Sequence, residues 1–187
     1  MIFSLADFSS QKFFYQYSSL ENMDKQDMAQ QLKEGDIAPD FTSSDSGGHS
    51  FNLSDFRRKK NVVVYFYPKD FTPGCTTEAI EFTRDYNKIK DANIEIIGVS
   101  PDTDESHKKF RQKLNIPYLL SADTQNETSK KYGVYGPKSF MGNEYMGVNR
   151  STFLIDINGK IIRIFSKVKP SGHSQEVIDS FSKAEKI

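Results

Sequence analysis

The chain has one cysteine, Cys75, and its neighbours are of the types that turn a thiol into a nucleophile. A thiol attacks only as the thiolate, so the residues around it must stabilise a negative charge on sulfur. Thr72, three residues earlier, carries a hydroxyl that can donate to a sulfur anion and can also accept a hydrogen bond. Pro73 and Gly74 tighten the loop and allow backbone N–H groups to turn inward. Pro68 has no N–H of its own and would shield the site from water.

A lone cysteine is more often an inert buried residue than a catalytic one, so the surrounding elements decide its role. The run NVVVYFYP (61–68) is almost entirely apolar, β-branched or aromatic, which is typical of a strand buried on both faces. After the loop, apolar residues three and four apart over 76–90 predict an amphipathic helix. Cys75 therefore lies at the opening turn of a helix, where unpaired N–H groups and the helix dipole favour an anion.

The rest of the sequence alternates strands with helices. Two short strands are predicted within 38–56, and strands at 94–100 and 116–123 are each followed by a helix, at 100–115 and 124–133. Residues 134–149 contain three Gly and one Pro and are predicted to be irregular. A hairpin with Asn158-Gly159 as its turn and a last helix over 173–187 complete the pattern. This order predicts an α/β fold with a central mixed β-sheet flanked by helices.

Composition limits the partners of the chain. Lys+Arg and Asp+Glu balance at 25 each, so we expect no general attraction to nucleic acid or to an anionic membrane. No apolar run approaches twenty residues, and the first twenty residues lack the basic start and unbroken apolar stretch of a signal peptide. We therefore predict a cytoplasmic protein.

The first 34 residues are predicted to be an extension to a domain that spans 35–187. The extension is interpreted as poorly ordered or as the product of a start codon placed too early, since Met23 and Met28 are both plausible starts. The alternative is an arm that binds a membrane surface or a partner, because its beginning is rich in aromatic residues.

Other groups offer little chemistry. One cysteine excludes an internal disulfide, a CxxC pair and multi-cysteine metal sites. His49, His107 and His173 are far apart and lack ligand spacing, so we predict no metal and no cofactor. Asp102 and Asp104 precede a predicted helix and are interpreted as capping residues.

Pro68, Thr72 and Cys75 form the array P-x-x-x-T-x-x-C between a hydrophobic strand and a helix, and this array resembles the active-site motif of the peroxiredoxins. The longer string YPKDFTPGCTTEA (67–79) is similar to the bacterioferritin comigratory protein branch of the AhpC/TSA family, also called peroxiredoxin Q. The segments 38–41 and 130–156 also resemble that branch. The resemblance covers the whole predicted domain and implies a thioredoxin-like fold with an N-terminal β-hairpin addition.

The resemblance also implies an activity. Cys75 would be the peroxidatic nucleophile of an antioxidant enzyme that reduces hydrogen peroxide and organic hydroperoxides to water and alcohols through a sulfenic acid. Thr72 and Pro68 belong to the motif itself. The residue that matches the arginine of the family's cysteine pocket is Arg150, and Glu78 matches a position that helps to orient that arginine. An arginine fork can hold a sulfur and a peroxide oxygen at once.

The chain departs from many relatives of this branch at Ile80, where two-cysteine members often carry a resolving cysteine. The sequence therefore implies a one-cysteine mechanism in which an external thiol or redoxin reduces the sulfenic acid, acting on a monomer or a homodimer. Two alternatives have other chemistry. A thiol-disulfide oxidoreductase would have a second cysteine at position 78, which is Glu78 here. A non-enzymatic thioredoxin-fold module, chaperone-like or partner-binding, would not need Thr72 and Arg150.

Overall fold

The computed structural model describes residues 31–44, 48–140 and 142–184. The predicted extension, residues 1–34, lies mostly outside this range, and its lack of order stays a prediction. Its last residues contact the domain, since Leu32 packs against a core cluster and the Glu34 carboxylate accepts a hydrogen bond from the Ile164 N–H at 3.3 Å. Within the described ranges, no helix is long and apolar enough to cross a membrane.

Nine strands and four helices are described, together with one 3-10 turn at Leu53–Phe56. The helices are α1 (Pro73–Asp91), α2 (Asp104–Leu114), α3 (Glu127–Lys131) and α4 (His173–Ala184). The strands are β1 (Thr42–Ser44), β2 (Ser50–Asn52), β3 (Asn61–Phe66), β4 (Ile94–Ser100), β5 (Leu119–Ala122), β6 (Tyr135–Phe140), β7 (Asn143–Val148), β8 (Ser151–Ile155) and β9 (Ile161–Phe165).

The central sheet has the strand order β5-β4-β3-β8-β9. Strand β3 runs parallel to β4 and antiparallel to β8, so the sheet is mixed, as predicted. Its register pairs Phe66, the last residue of β3, with Ser151, the first residue of β8. The loop after β3 and the residue before β8 therefore lie at the same end of the sheet, although they are far apart in sequence.

Alternate residues of β3 enter two separate cores, because side chains of a strand point to opposite faces. Val63 and Tyr65 join α1, α2 and α4 in the first core, and Val62, Val64 and Phe66 belong to the second. The second core is covered by the N-terminal segment that carries the β1–β2 hairpin and by residues that follow α3. The predicted hairpin addition and flanking helices are confirmed.

Helix α1 begins three residues earlier than the periodicity predicts, at Pro73. Proline is favoured at the first helical position because its missing N–H has no partner there in any case. Ala79, Phe82 and Ile89 lie on the buried side of α1 and contribute to the first core. The burial of this stripe fixes the rotation of the helix about its axis, and with it the direction of Cys75.

The prediction that residues 134–149 are irregular is wrong, because they form the β6–β7 hairpin. The closing pair Phe140–Asn143 leaves a two-residue loop that ends in Gly142, whose φ is +81°. Alternation from this pair puts Pro137, opposite Met146, at a non-hydrogen-bonded position where no N–H is needed. Glycine and proline therefore occupy strand positions that tolerate them.

Candidate active site

Cys75 lies in the first turn of α1 and is 1% exposed. The first N–H groups of a helix have no partner within the helix, and the dipole places partial positive charge at this end. The sulfur also belongs to the first hydrophobic core. The sequence-predicted junction of a buried strand and a helix is thus where the structure places the thiol.

Arg150 reaches the sulfur from the residue before β8. Its Nη2 lies 3.1 Å from Cys75 Sγ, and its Nη1 donates to Glu78 Oε2 in an ion pair. The guanidinium passes close to Gly74, where a Cβ would lie 3.3 Å from Nη2. Glycine at this position therefore leaves the space that the guanidinium needs. The structure brings Cys75, Arg150 and Glu78 together, which is the grouping that the family resemblance implies.

The two charged groups beside Cys75 shape each other's ionisation. Burial raises the pKa of Glu78 to about 7, although the Arg150 guanidinium opposes that shift. The other carboxylate oxygen, Glu78 Oε1, is buried and has no hydrogen-bond partner. Burial would lower the pKa of Arg150, but the Glu78 carboxylate and the Cys75 sulfur outweigh it and raise that pKa. Arg150 therefore stays charged at any working pH.

Thr72 occupies the N-cap position of α1, yet its side chain does not cap the helix. Its hydroxyl donates to the backbone carbonyl of Lys69 at 3.0 Å. The hydroxyl proton is therefore committed, and the oxygen lone pairs are left to accept a hydrogen bond. Of the two functions that the sequence allows for this hydroxyl, the geometry favours acceptance.

Pro68 lines a neighbouring cavity of about 220 Å³ that is bounded on the other side by the β6–β7 hairpin. Lys138, to which the sequence pattern assigns no function, lies on this hairpin, and its Nζ donates to the Val148 carbonyl at 3.0 Å. Burial and then repulsion by Arg150 lower the pKa of Lys138, while Cys75 acts in the opposite direction. The sequence gave no sign that Lys138 would lie at this cavity, because the segment that contains it was predicted to be irregular.

The interpretation of Asp102 and Asp104 as caps is wrong, because the N-cap of α2 is Thr103, whose hydroxyl accepts from the Ser106 N–H at 3.3 Å. Asp104 lies in the first turn of α2. Asp102 instead accepts a hydrogen bond from the Asp70 N–H at 2.8 Å. The loop that carries the candidate site residues is thus held by residues outside the motif.

Two of the three histidines, His107 and His173, lie inside the domain. His107 and His173 are both buried and hydrogen-bonded to acidic side chains, at 2.9 Å to Asp70 and 3.0 Å to Glu176. Burial lowers the pKa of His173, although Glu176 opposes that shift. Over residues 31–44, 48–140 and 142–184, no group of three or more His, Cys, Asp or Glu side chains is arranged to hold a metal ion.

Comparison with known proteins agrees with this arrangement. The AhpC/TSA family matches residues 35–164. Peroxiredoxin Bcp of Bacillus subtilis is 43% identical over 149 residues, which are 80% of this chain and 94% of that protein. A crystal structure of a peroxiredoxin Q variant from Xylella fastidiosa superposes with a TM-score of 0.78 at 31% identity, covering 83% of this chain and 99% of that one.

A Xanthomonas campestris bacterioferritin comigratory protein, whose structures are described in terms of alkyl peroxide reduction activity, superposes with a TM-score of 0.72. It is 33% identical, with 77% of this chain and 91% of that chain covered. These similarities confirm the thioredoxin-like fold and extend over nearly the full length of each relative. The chain therefore belongs to the AhpC/TSA family and is a thiol-dependent peroxidase of its bacterioferritin comigratory protein and peroxiredoxin Q branch, with a single cysteine.

Proposed function

We propose that this chain reduces hydrogen peroxide and organic hydroperoxides in a one-cysteine cycle in which Cys75 is the nucleophile. The observation that carries the proposal is the 3.1 Å contact between Arg150 Nη2 and Cys75 Sγ at the start of α1. The guanidinium and the helix N-terminus both place positive charge at one sulfur, and a cysteine attacks as the thiolate. The alkyl peroxide reduction described for the Xanthomonas relative supports organic hydroperoxides as substrates.

In the first step the Cys75 thiolate attacks the terminal oxygen of the hydroperoxide. An S–O bond forms and the O–O bond breaks, so that the cysteine is oxidised to a sulfenic acid by two electrons and the peroxide is reduced. The terminal oxygen keeps its hydrogen and becomes the sulfenic O–H. The departing alkoxide, or hydroxide from hydrogen peroxide, takes a proton from solvent and leaves as alcohol or water.

Three side chains support this step. Arg150 has five N–H donors, and after its bonds to Cys75 and Glu78 the remaining ones can stabilise the departing oxygen, where charge develops. The Thr72 oxygen, whose own proton goes to the Lys69 carbonyl, accepts from the O–H of the peroxide. Pro68 adds no N–H that would compete for the substrate. Glu78 orients the guanidinium through the buried ion pair.

An external thiol completes the cycle. It attacks the sulfenic sulfur, water leaves, and a mixed disulfide forms; a second thiol then releases Cys75 and becomes a disulfide with the first. The resolving thiol must come from outside the chain, because the sequence has no second cysteine and position 80 is an isoleucine that is 49% exposed. The reductant is therefore a small thiol or a redoxin. We propose the cytoplasm as the site of action because its thiol pools keep such a cysteine reduced, with the chain acting as a monomer or a homodimer.

Mass spectrometry of the intact protein and of the Cys75 peptide tests the cycle. One equivalent of hydrogen peroxide should add one oxygen to Cys75, excess peroxide should add a second, and dithiothreitol should reverse the first but not the second. Cys75→Ser, with metals chelated, is the matched control and should take up no oxygen. Peroxide consumption by that variant, or by a monomer whose Cys75 gains no oxygen, would contradict the proposal.

The non-enzymatic alternative is not favoured by the site. A binding module has no use for a guanidinium held against a buried sulfur by a second buried charge, because burial of two charges is costly unless function requires it. Family membership and the contact between Arg150 and Cys75 both favour the enzyme.

A further inference from the structure

The loop between β3 and α1 is fixed to α2 by a buried polar network centred on Asp70, which is 2% exposed. Its Oδ1 accepts from the Tyr67 hydroxyl at 2.8 Å, and its Oδ2 accepts from the Ser106 hydroxyl at 2.7 Å and lies 2.9 Å from His107 Nδ1. Burial alone would raise the pKa of Asp70, but His107 and the two hydroxyls outweigh it and lower that pKa. Asp70 is therefore a charged carboxylate with several partners, although it takes no part in the reaction described above.

A second set of contacts holds the backbone of the same loop. The Asp70 N–H donates to Asp102 Oδ2 at 2.8 Å, and the Ser100 hydroxyl donates to the same oxygen at 2.6 Å. Side chain and backbone of Asp70 are thus anchored from two directions, by α2 and by the end of β4. Such double anchoring restricts the loop far more than one bond to either element would.

The anchored residue precedes an unusual backbone conformation. Phe71 has a φ of +60°, in the left-handed region that bulky side chains rarely adopt. The residue is 45% exposed, and its ring contacts the Phe110 ring of α2 edge-on, with centroids 5.1 Å apart. A conformation of this kind persists only where its surroundings hold it, and such positions cluster at functional sites.

The left-handed turn has a direct effect on Thr72. It folds the chain back so that the Lys69 carbonyl meets the Thr72 hydroxyl at 3.0 Å. That bond sets the direction of the Thr72 proton and hence of the lone pairs that face the substrate. Asp70 and Phe71 thus lie between the two ends of the bond that orients Thr72.

The polar network around Asp70 is not explained by its contribution to stability. His107 is 4% exposed, and its Nε2 is buried without a hydrogen-bond partner. A buried nitrogen without a partner destabilises the folded state, and an apolar side chain would avoid this cost. The histidine is therefore better explained by the hydrogen bond that its other nitrogen makes to Asp70.

We propose that Asp70 and His107 are positioning residues for the peroxide step, which hold the left-handed turn at Phe71 and through it the orientation of the Thr72 hydroxyl. The inference rests on the role proposed above for Thr72. Neither residue contacts the reacting atoms; the network acts through one backbone carbonyl and one hydroxyl. Loss of the network should therefore impair the attack on peroxide without changing the nucleophilicity of Cys75 in other reactions.

Two rate constants of the full chain separate these effects: oxidation of Cys75 by hydrogen peroxide and its alkylation by iodoacetamide at the same pH. His107→Leu removes the bond to Asp70, and His107→Asn keeps an amide N–H near the place of Nδ1. We expect His107→Leu to slow oxidation by about tenfold or more, because small misplacements of a catalytic group are costly, and to change alkylation by less than about twofold. His107→Asn should retain most of the oxidation rate.

A double-mutant cycle with Thr72→Val tests the pathway. If Asp70 and His107 act through Thr72, His107→Leu should slow oxidation in the parent chain but add little in the Thr72→Val background. Equal effects in both backgrounds, no effect in the parent, or a rise in alkylation that reports an opened site would overturn the inference. Ser106→Ala, which removes one hydrogen bond to Asp70, serves if His107→Leu does not fold, with the same pattern at smaller size.

The double-mutant cycle also distinguishes failure of the positioning inference from failure of the role proposed for Thr72. If Thr72→Val leaves oxidation unchanged while Cys75→Ser abolishes it, the role proposed for Thr72 is wrong, and the positioning inference fails with it. If Thr72→Val slows oxidation and His107→Leu does not, the proposed function stands and only the inference fails.

Discussion

Cys75 is enclosed by two walls of different construction. One wall is the start of α1, a stretch of contiguous residues whose buried side joins the first hydrophobic core. The other wall is assembled from Arg150, at the entry to β8, and from the β6–β7 hairpin, most of whose residues are exposed or only partly buried. The first wall supplies the sulfur and the second supplies cations.

The two walls therefore have different tasks: α1 fixes the position of the sulfur, and the second wall supplies positive charge. The α1 wall is fixed by packing, because a helix with a buried apolar stripe cannot rotate without losing that burial. On the second wall, the Arg150 guanidinium is fixed by one buried ion pair to Glu78, and Lys138 by one hydrogen bond to a carbonyl. We therefore expect substitutions on the second wall to slow the reaction according to which hydrogen bond or ion pair they remove, while the fold persists.

The largest effect should come from Arg150→Met. The variant loses the hydrogen bond to the sulfur and the donors for the departing oxygen, and removal of such a donor costs about a hundredfold or more in rate. Stopped-flow oxidation of Cys75 by hydrogen peroxide measures this. Arg163→Met is the matched control, since Arg163 lies 3.9 Å from Glu34 with its side chain 55% exposed, and its rate should match the parent.

Arg150→Lys sharpens the same comparison. It keeps the positive charge but not the planar fork that contacts sulfur and carboxylate together, so most of the loss should remain. A rate near that of the parent would mean that charge alone suffices, and the geometry assigned to the second wall would then be wrong.

The two walls also differ in how far the sequence predicted them. The motif from Pro68 to Cys75 is contiguous, and periodicity alone placed the thiol at a helix start. Arg150 and Glu78 came from the family resemblance, since an arginine before a strand gives no sign of its own. What brings Arg150 to the sulfur is the pairing of Phe66 with Ser151, and strand register is a tertiary property that a single sequence does not show.

The β6–β7 hairpin and the Asp70 network could not be predicted from the sequence, for different reasons. Gly136 and Pro137 are poor strand formers, and only their pairing register makes them tolerable. Asp70 has the appearance of an ordinary polar loop residue, because its partners on α2 are more than thirty positions away. By contrast, the β8–β9 hairpin was predicted, since Gly159, with a φ of +84°, is a local turn signal.

The next effect concerns stability at Glu78, which links the two walls. Its pKa in the folded state, about 7, lies above its ordinary value of 4.5. Protonation of Glu78 therefore stabilises the folded state fully below pH 4.5, and this contribution is lost as pH rises from about 4.5 to about 7. Glu78→Gln removes the titration and keeps an acceptor for Arg150.

The measurement is the free energy of unfolding by urea from pH 4.5 to 8, for the parent and the Glu78→Gln chain. The parent should lose stability relative to the variant over this range, by about 1–3 kcal/mol. A parent that gains stability relative to Glu78→Gln as pH rises would contradict the assigned direction of the shift.

A smaller effect is expected at Gly74, where the two walls approach each other. The added Cβ in Gly74→Ala would lie 3.3 Å from Arg150 Nη2 and 3.5 Å from the Pro170 ring, so the guanidinium must shift by a few tenths of an ångström. We expect oxidation by hydrogen peroxide to slow by about three- to tenfold. Gly136→Ala, whose Cβ would meet only Asn149 Nδ2 at an ordinary 3.5 Å, is the control.

In Gly74→Ala the free energy of unfolding should not fall together with the oxidation rate, and this helps to identify the cause of the slower oxidation. Alanine in a helix is favoured over glycine by up to about 1 kcal/mol, so urea unfolding should show an unchanged or a slightly more stable protein. A loss of stability together with the loss of rate would point to a general clash rather than to a displaced Arg150.

The smallest effect should come from Lys138→Met, which removes the second cation and keeps the length and apolar stem of the side chain. Lys138 has no hydrogen bond to the Cys75 sulfur, since its Nζ donates to the Val148 carbonyl, and the two residues interact only through their charges. Its influence on the sulfur is therefore electrostatic and partly screened. Oxidation of Cys75 should slow by about two- to fivefold, since a partly exposed charge pair contributes up to about 1 kcal/mol. Lys131→Met, which replaces an exposed lysine at the end of α3, is the control and should leave the rate unchanged.

Because salt screens such an interaction, the difference in oxidation rate between the parent and Lys138→Met should narrow as ionic strength rises. A gap that is independent of salt would assign Lys138 to packing of the hairpin, through its bond to the Val148 carbonyl, and the second wall would then supply one cation rather than two.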